Sequence, residues 1–167
     1  MLTISMTKNQ IKNKVYDCIT FYQANMLFQL RFEILKDVVD YFVICEANKS
    51  HTGLKKEFNF NPKIPEKYKD KIIYIKVTDL PDIKIKGKKD YKLLSLQMEN
   101  LFKGIRSASQ NDLIIFSDED EIPNPNIINS FNYQKYKFGI FLQNMYYYKL
   151  NIMNIDEGNG NWAGSRI

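Results

Sequence analysis

The feature that most limits what this chain can become is a run, residues 41–46, that is apolar almost from end to end (Tyr-Phe-Val-Ile-Cys-Glu). A strand of a parallel sheet, covered on both faces, has this composition. Residues 15–21 are rich in β-branched and aromatic side chains and read as an earlier strand. Between the two, Leu27, Leu30, Ile34 and Val38 recur at helical spacing, the mark of an amphipathic helix. A β-α-β unit follows. A third strand is expected over 71–77, then a second helix with Leu94, Met98, Leu101 and Ile105 on its face, then a fourth strand over 113–116 with no polar residue inside it. Asn124 and Pro125 read as a helix N-cap and first helical position, and 138–143 and 146–152 as two late strands. Strands alternating with helices predict an α/β fold with a mostly parallel, twisted sheet and helices on both faces. Ligands of such folds bind beyond the carboxyl ends of the strands.

With 167 residues, 44% of them hydrophobic, the chain is expected to form one domain over 15–167, preceded by a polar extension over 1–14. The extension has no continuous apolar segment, so neither a signal peptide nor membrane insertion is expected. Cys18 and Cys45 each lie in an apolar stretch and offer no disulfide framework or zinc spacing, which makes a reducing, cytoplasmic setting the expectation. The 24 Lys and Arg against 19 Asp and Glu leave a net charge of +5. The lysines are scattered, and their densest group, Lys84, Lys86, Lys88 and Lys89, reads as a solvated loop, so no nucleic-acid partner is expected.

The fourth strand runs directly into Ser117-Asp118-Glu119-Asp120-Glu121-Ile122-Pro123. Four consecutive carboxylates repel one another unless a cation neutralises them or water solvates them fully. In an extended segment, residues two apart project to the same side, which sets Asp118 and Asp120 toward one site and Glu119 and Glu121 toward the other. Two such carboxylates suit a hard ion, Mg²⁺ or Mn²⁺, whose remaining positions are filled by water and diphosphate oxygens. An acidic loop that simply caps the next helix is the competing interpretation.

Several stretches together resemble glycosyltransferase family 17: Val15-Tyr16-Asp17-Cys18, Leu30-Arg31-Phe32-Glu33-Ile34-Leu35, the run from Asp37 through Ala47, Thr52-Gly53, and later Asp112 through Pro123. The resemblance extends from about Val15 to Trp162. It implies a GT-A-like fold, a UDP-sugar donor, a divalent metal, inversion at the anomeric carbon, and β-1,4-N-acetylglucosaminyl transfer to a glycan acceptor. Asp118 and Asp120 then take the DxD role, the second aspartate meeting the metal directly and the first lying nearer the ribose or reaching the ion through water. Gln97-Met98 stands where a Gln-Arg pair is expected on the second helix, so Gln97 is carried over as a donor contact. The missing cation leaves Arg106 or the 84–89 loop as substitutes. The acceptor part is expected to be shortened.

Other residues complete the candidate site. Glu46, at the end of the second strand, is placed to accept hydrogen bonds from a base or ribose, and Thr52 and Gly53 to bring backbone N–H groups near the nucleotide. His51, the only histidine, is expected at the surface. Tyr146 and Tyr148 share one side of a strand, where packing is their simplest role and acceptor contact the functional one; Trp162 is placed to stack on a sugar or to clamp the chain end. Inversion needs a general base, for which Glu121 is preferred over Asp156 and Glu157 because it adjoins the metal motif. The function expected is a metal-assisted, inverting glycosyltransferase. The alternatives are a non-catalytic carbohydrate-binding or assembly module and, third, a metal-dependent nuclease or nucleotidyltransferase.

Overall fold

The computed structural model describes residues 13–83, 91–146, 152–154 and 161–167. Strand β1 (Val15–Phe21) is buried at every position and feeds two separate cores. Val15, Ile19 and Phe21 join helix α1 (Asn25–Leu35), whereas Tyr16 and Cys18 join helix α2 (Lys92–Asn100). Strand β2 (Tyr41–Ala47) divides likewise, with Phe42 and Ile44 in the first core and Val43 and Cys45 in the second. Successive strand residues point to opposite faces, so a strand between two helical layers has to be apolar throughout.

The sheet order is β3-β2-β1-β4-β6-β5, with β3 (Ile72–Val77), β4 (Leu113–Asp118), β5 (Ile140–Asn144) and β6 (Asn161–Arg166). β1 pairs in parallel with both β2 and β4, and β2 with β3. β6, however, pairs antiparallel with β4 and with β5. The sheet is therefore mixed, not the mostly parallel one expected. The alternation of strand and helix ends after α3 (Pro125–Ser130), and antiparallel neighbours need no crossover helix to join them. β6, Asn-Trp-Ala-Gly-Ser-Arg, lacks any apolar run and was not foreseen from the sequence. Of the strand expected over 146–152, the structure shows an isolated bridge between Tyr146 and Met153, and 147–151 lie outside the described residues.

Helix α1 buries a different face from the one expected, whereas α2 keeps part of it, since Leu101 and Ile105 join the second core as expected. α1 buries Phe28, Arg31, Phe32 and Leu35, while Leu30 stays 47% and Ile34 41% exposed. Two stripes compete on this helix, and the aromatic one has the larger surface to bury. Phe28 meets Phe60 and Phe42, and Phe32 meets Phe42 and Tyr68, all at ring separations of 4.9–6.0 Å. α2 buries Leu93 and Gln97, continued by Leu101 in the next turn, and leaves Met98 exposed. α3 starts as read: the Asn124 side chain accepts the Asn126 N–H at 2.9 Å, with Pro125 in the first turn. Cys18 and Cys45 are free and buried; burial pushes both thiols up, Cys45 to about 12, which removes them as nucleophiles. No helix among the described residues is long and apolar enough to cross a membrane.

The reversal of the α1 face is measurable. Phe32→Ala should lower stability by about 3–5 kcal/mol, and Ile34→Ala by less than about 1 kcal/mol, in urea unfolding. Equal losses would mean that the Leu30 and Ile34 stripe is the buried one.

Candidate functional site

From β1 the chain adds β2 and then β3 on one side and returns to place β4 on the other, so the order of the strands reverses between β1 and β4. Crevices open beyond the carboxyl ends of strands at such a point. In the register, Thr20 lies beside Asp118, and the acidic segment leaves the sheet there. It does not continue extended. The Glu121 N–H donates to the Asp118 carbonyl at 3.1 Å, closing a tight turn over 118–121. The partition of carboxylates expected from strand alternation is not reproduced: Glu119 and Glu121 turn to different partners, Tyr22 and Trp162, instead of sharing a side.

The four carboxylates have different surroundings. Glu119 accepts the Tyr22 N–H at 3.1 Å. Glu121 accepts the Trp162 indole N–H at 2.5 Å on one oxygen and the Asp118 N–H at 3.2 Å on the other. The carboxylates of Asp118 and Asp120 have no hydrogen bond or ion pair among the described residues. Desolvation pushes the Asp118 carboxyl up, the negative charges of Glu121 and Asp120 push it further, and His51 and Arg166 offset part of this. Burial also raises Glu119, against the pull of the Tyr22 and Ala24 N–H groups.

The turn is held from two sides. Beneath it, Arg31 of α1 is fully buried against Asp17 of β1, donating from Nε at 2.7 Å and from a terminal nitrogen at 2.6 Å. Its other terminal nitrogen donates to the carbonyls of Glu121 at 2.8 Å and Asp118 at 3.3 Å. The planar guanidinium thereby ties helix, strand and turn together with one charge. From β5 and β6, the Gln143 amide donates to the Ile122 carbonyl at 2.8 Å and the buried Ser165 hydroxyl to the Glu121 carbonyl at 2.9 Å. Arg31 and Ser165 had been given no role from the sequence. The available signal was a single arginine on the Phe28, Phe32 and Leu35 face and a single aspartate inside an otherwise apolar strand.

Two cavities flank the aspartates. One, about 370 Å³, is lined by Thr20, Tyr22, His51 and Leu94 together with Asp118, Glu119 and Asp120. The other, about 390 Å³, is lined by Asp118, Asp120 and Glu121 with Gln143, Tyr146 and Trp162. Both fall in the size range of small-ligand sites. Asp118, Asp120, Glu121, Tyr146 and Trp162 are thus brought together, and His51, expected only as a surface residue, joins them. Tyr148, Asp156, Glu157 and the 84–89 loop lie outside the described residues.

Four residues expected at the donor lie elsewhere. Glu46 is fully buried, with Lys56 and the Asn59 N–H on one oxygen and the Phe60 N–H and Tyr74 hydroxyl on the other. Burial opposes its charge, but these donors together hold the carboxyl below its usual range, and no lone pair remains for a nucleotide. Glu46 anchors the segment around residues 56–60 instead. Gln97 is also buried, and its amide donates to the carbonyls of Cys45 at 2.8 Å and Phe21 at 3.4 Å, joining α2 to the ends of β1 and β2. Thr52 and Gly53 form a small turn, in which the Thr52 hydroxyl lies 2.8 Å from that of Ser50 and Gly53 adopts φ of 85°. Neither lines the two cavities; His51 is the residue of that turn that does.

The pair Asp118 and Asp120 suits a hard divalent ion. Among the described residues, no three His, Cys, Asp or Glu side chains converge on one point, so an ion at these two carboxylates would need its other positions filled by ligand and water oxygens. Neither cavity has a lysine or arginine among its described walls. A diphosphate entering this acidic cleft needs a cation with it.

The electrostatics predict the effect of removing one charge. Since Asp118 titrates above its unfolded value, its ionisation costs the metal-free fold stability, a cost absent below the unfolded value and complete above the folded one. Asp120→Asn should therefore move the Asp118 titration down in NMR and leave the metal-free protein at least as stable at neutral pH; marked destabilisation would favour a capping role. Arg31→Met should cost about 3–5 kcal/mol in urea unfolding, because Asp17 stays buried without a partner. Adding Asp17→Leu should recover much of that loss.

Residues 4–156 match glycosyltransferase family 17. The chain is 26% identical over 128 residues to the beta-1,4-mannosyl-glycoprotein 4-beta-N-acetylglucosaminyltransferases of Rattus norvegicus and Homo sapiens, and 25% identical to that of Mus musculus. Each alignment covers 71% of this chain and 23% of the relative, so the chain spans about a quarter of the length of the curated relatives it matches. No solved structure matches it. With the match covering most of its length, the chain belongs to glycosyltransferase family 17.

Proposed function

We propose that this chain, with a GT-A-like fold, binds a UDP-sugar with Mn²⁺ or Mg²⁺ at Asp118 and Asp120 and transfers the sugar, N-acetylglucosamine by analogy with the relatives, to a glycan acceptor with inversion. The observation that carries this proposal is the pair of unengaged aspartates between two cavities, at the strand-order reversal of a chain of this family. A bound divalent ion neutralises charge on the departing diphosphate. The chain's own residues do the rest. The cavity beside Thr20, Tyr22 and His51, at the carboxyl end of β1, takes the nucleotide side of the donor. The cavity beside Trp162 and Tyr146 takes the acceptor, with the exposed indole face as a stacking surface for a sugar ring.

Glu121 is the proposed general base. Its two N–H donors, from Trp162 and Asp118, fix the carboxylate in one orientation at the cavity wall, and each oxygen keeps a lone pair for the acceptor proton. The contact also couples base and stacking platform, since moving the indole moves the carboxylate. The buried, unpaired cysteines fit the proposed reducing, cytoplasmic setting.

Titration calorimetry with UDP provides the test. Mn²⁺ should tighten UDP binding at least about ten-fold, or about 1.4 kcal/mol, and Asp120→Ala should abolish that gain while the protein stays folded. The gain should also fade as pH is lowered, starting above the usual carboxylate range because Asp118 has to be ionised to hold the ion. Equal UDP binding with and without metal would refute the assignment. Metal-dependent binding without transfer or donor hydrolysis would leave the non-catalytic module.

A further inference from the structure

We propose that the acceptor of this site is a saccharide carrying an uncharged hydrocarbon aglycone, and that the aglycone lies in a groove between α1, α3 and β5. The proposal rests on the transfer function above for the saccharide end, and on independent features for the hydrocarbon end. The groove, about 560 Å³, begins where the acceptor cavity ends, and the two share Leu27, Asp120, Gln143, Asn144 and Tyr146 as walls. An occupant of the groove therefore reaches the aspartates at one end without leaving the surface.

The walls beyond that junction are mostly apolar, with Asn124 the one polar side chain among the described residues there. Leu30 and Ile34, one turn apart on α1, are 47% and 41% exposed, Ile127 of α3 47%, and Leu142 of β5 69%. Single exposed apolar residues are ordinary on protein surfaces. Here four from three different elements line one concavity, and two belong to the helix stripe that the aromatic face displaced from the core. Covering them would remove apolar surface from water, the main driving force of association. Charge narrows the occupant further. Asp120, at the mouth, is the one charged side chain among the described walls, so beyond the mouth the groove offers nothing to pair with an ionic partner. A neutral chain attached to the sugar fits both the apolar walls and the position of the mouth.

The chain's sole tryptophan, Trp162, gives a readout at the saccharide end. Methyl and n-octyl β-mannoside are titrated below the micelle concentration, without donor or metal, and followed by tryptophan fluorescence. A buried methylene is worth up to about four-fold in affinity, so the octyl compound should bind at least about ten-fold more tightly than the methyl one. Leu142→Asn, and separately Leu30→Asn, should erase that preference while leaving the methyl mannoside affinity unchanged; both residues are exposed, so the variants should stay folded with at most a small drop in melting temperature. Equal affinities in the wild-type protein, or an octyl preference that persists in both variants, would overturn the proposal. Sedimentation as a dimer that Leu142→Asn dissolves would also overturn it, by making the groove a contact between copies. Metal-dependent UDP binding on the same preparations separates the two proposals. UDP binding without the octyl preference refutes the aglycone alone, whereas the preference without UDP binding refutes the transfer function and keeps the amphiphile site.

Discussion

The candidate site depends on one guanidinium group. Arg31 is fully buried, and burying a charge is tolerable only when it is paired and its hydrogen-bonding capacity is used. Asp17 supplies the pairing, in two short contacts from the centre of β1. The nitrogen left over spans the carbonyls of Asp118 and Glu121, the two ends of the acidic turn. A positive charge thus sits beneath four carboxylates without touching any of them except through backbone. This arrangement fixes the turn while leaving its upper side negative.

Glutamates and aspartates of the turn divide the work accordingly. The longer side chains reach back to the protein, Glu119 to the Tyr22 N–H and Glu121 to Trp162 and its own turn. The shorter ones cannot, and they remain at the cleft between two cavities. β6 completes the frame, since Ser165 holds the Glu121 carbonyl while Trp162 holds its carboxylate. Gly164 lies between them for a steric reason: a Cβ there would approach the Gln143 amide oxygen to 2.2 Å and disturb the bonds that Gln143 makes to Ser165 and Ile122.

The sequence misled where one pattern allowed two geometries. On α1, aliphatic and aromatic stripes both fit a helical period, and only the ring contacts to Phe42, Phe60 and Tyr68 decide which is buried. Glu46 and Gln97 stand at the end of β2 and on α2 as polar residues near a ligand site would, yet Gln97 is spent on backbone carbonyls and Glu46 on Lys56, Tyr74 and two backbone N–H groups. Nothing local marks those partners, because they come from elsewhere in the chain. His51 shows the opposite case, a residue with no pattern around it that a turn delivers to the cavity wall.

By itself the sequence determined the strands β1, β2 and β4, the start of α3, and the acidic segment at the end of β4. These follow from short-range causes: side-chain alternation, an Asn-Pro cap, and a charge run that has to meet solvent or a cation. Tertiary structure alone decided the antiparallel β6 beside β4, the buried face of α1, and which carboxylates stay unengaged. Those outcomes depend on long-range pairing, such as Arg31 with Asp17 and Trp162 with Glu121, in which the energy of a charge or an indole N–H is set by what surrounds it after folding.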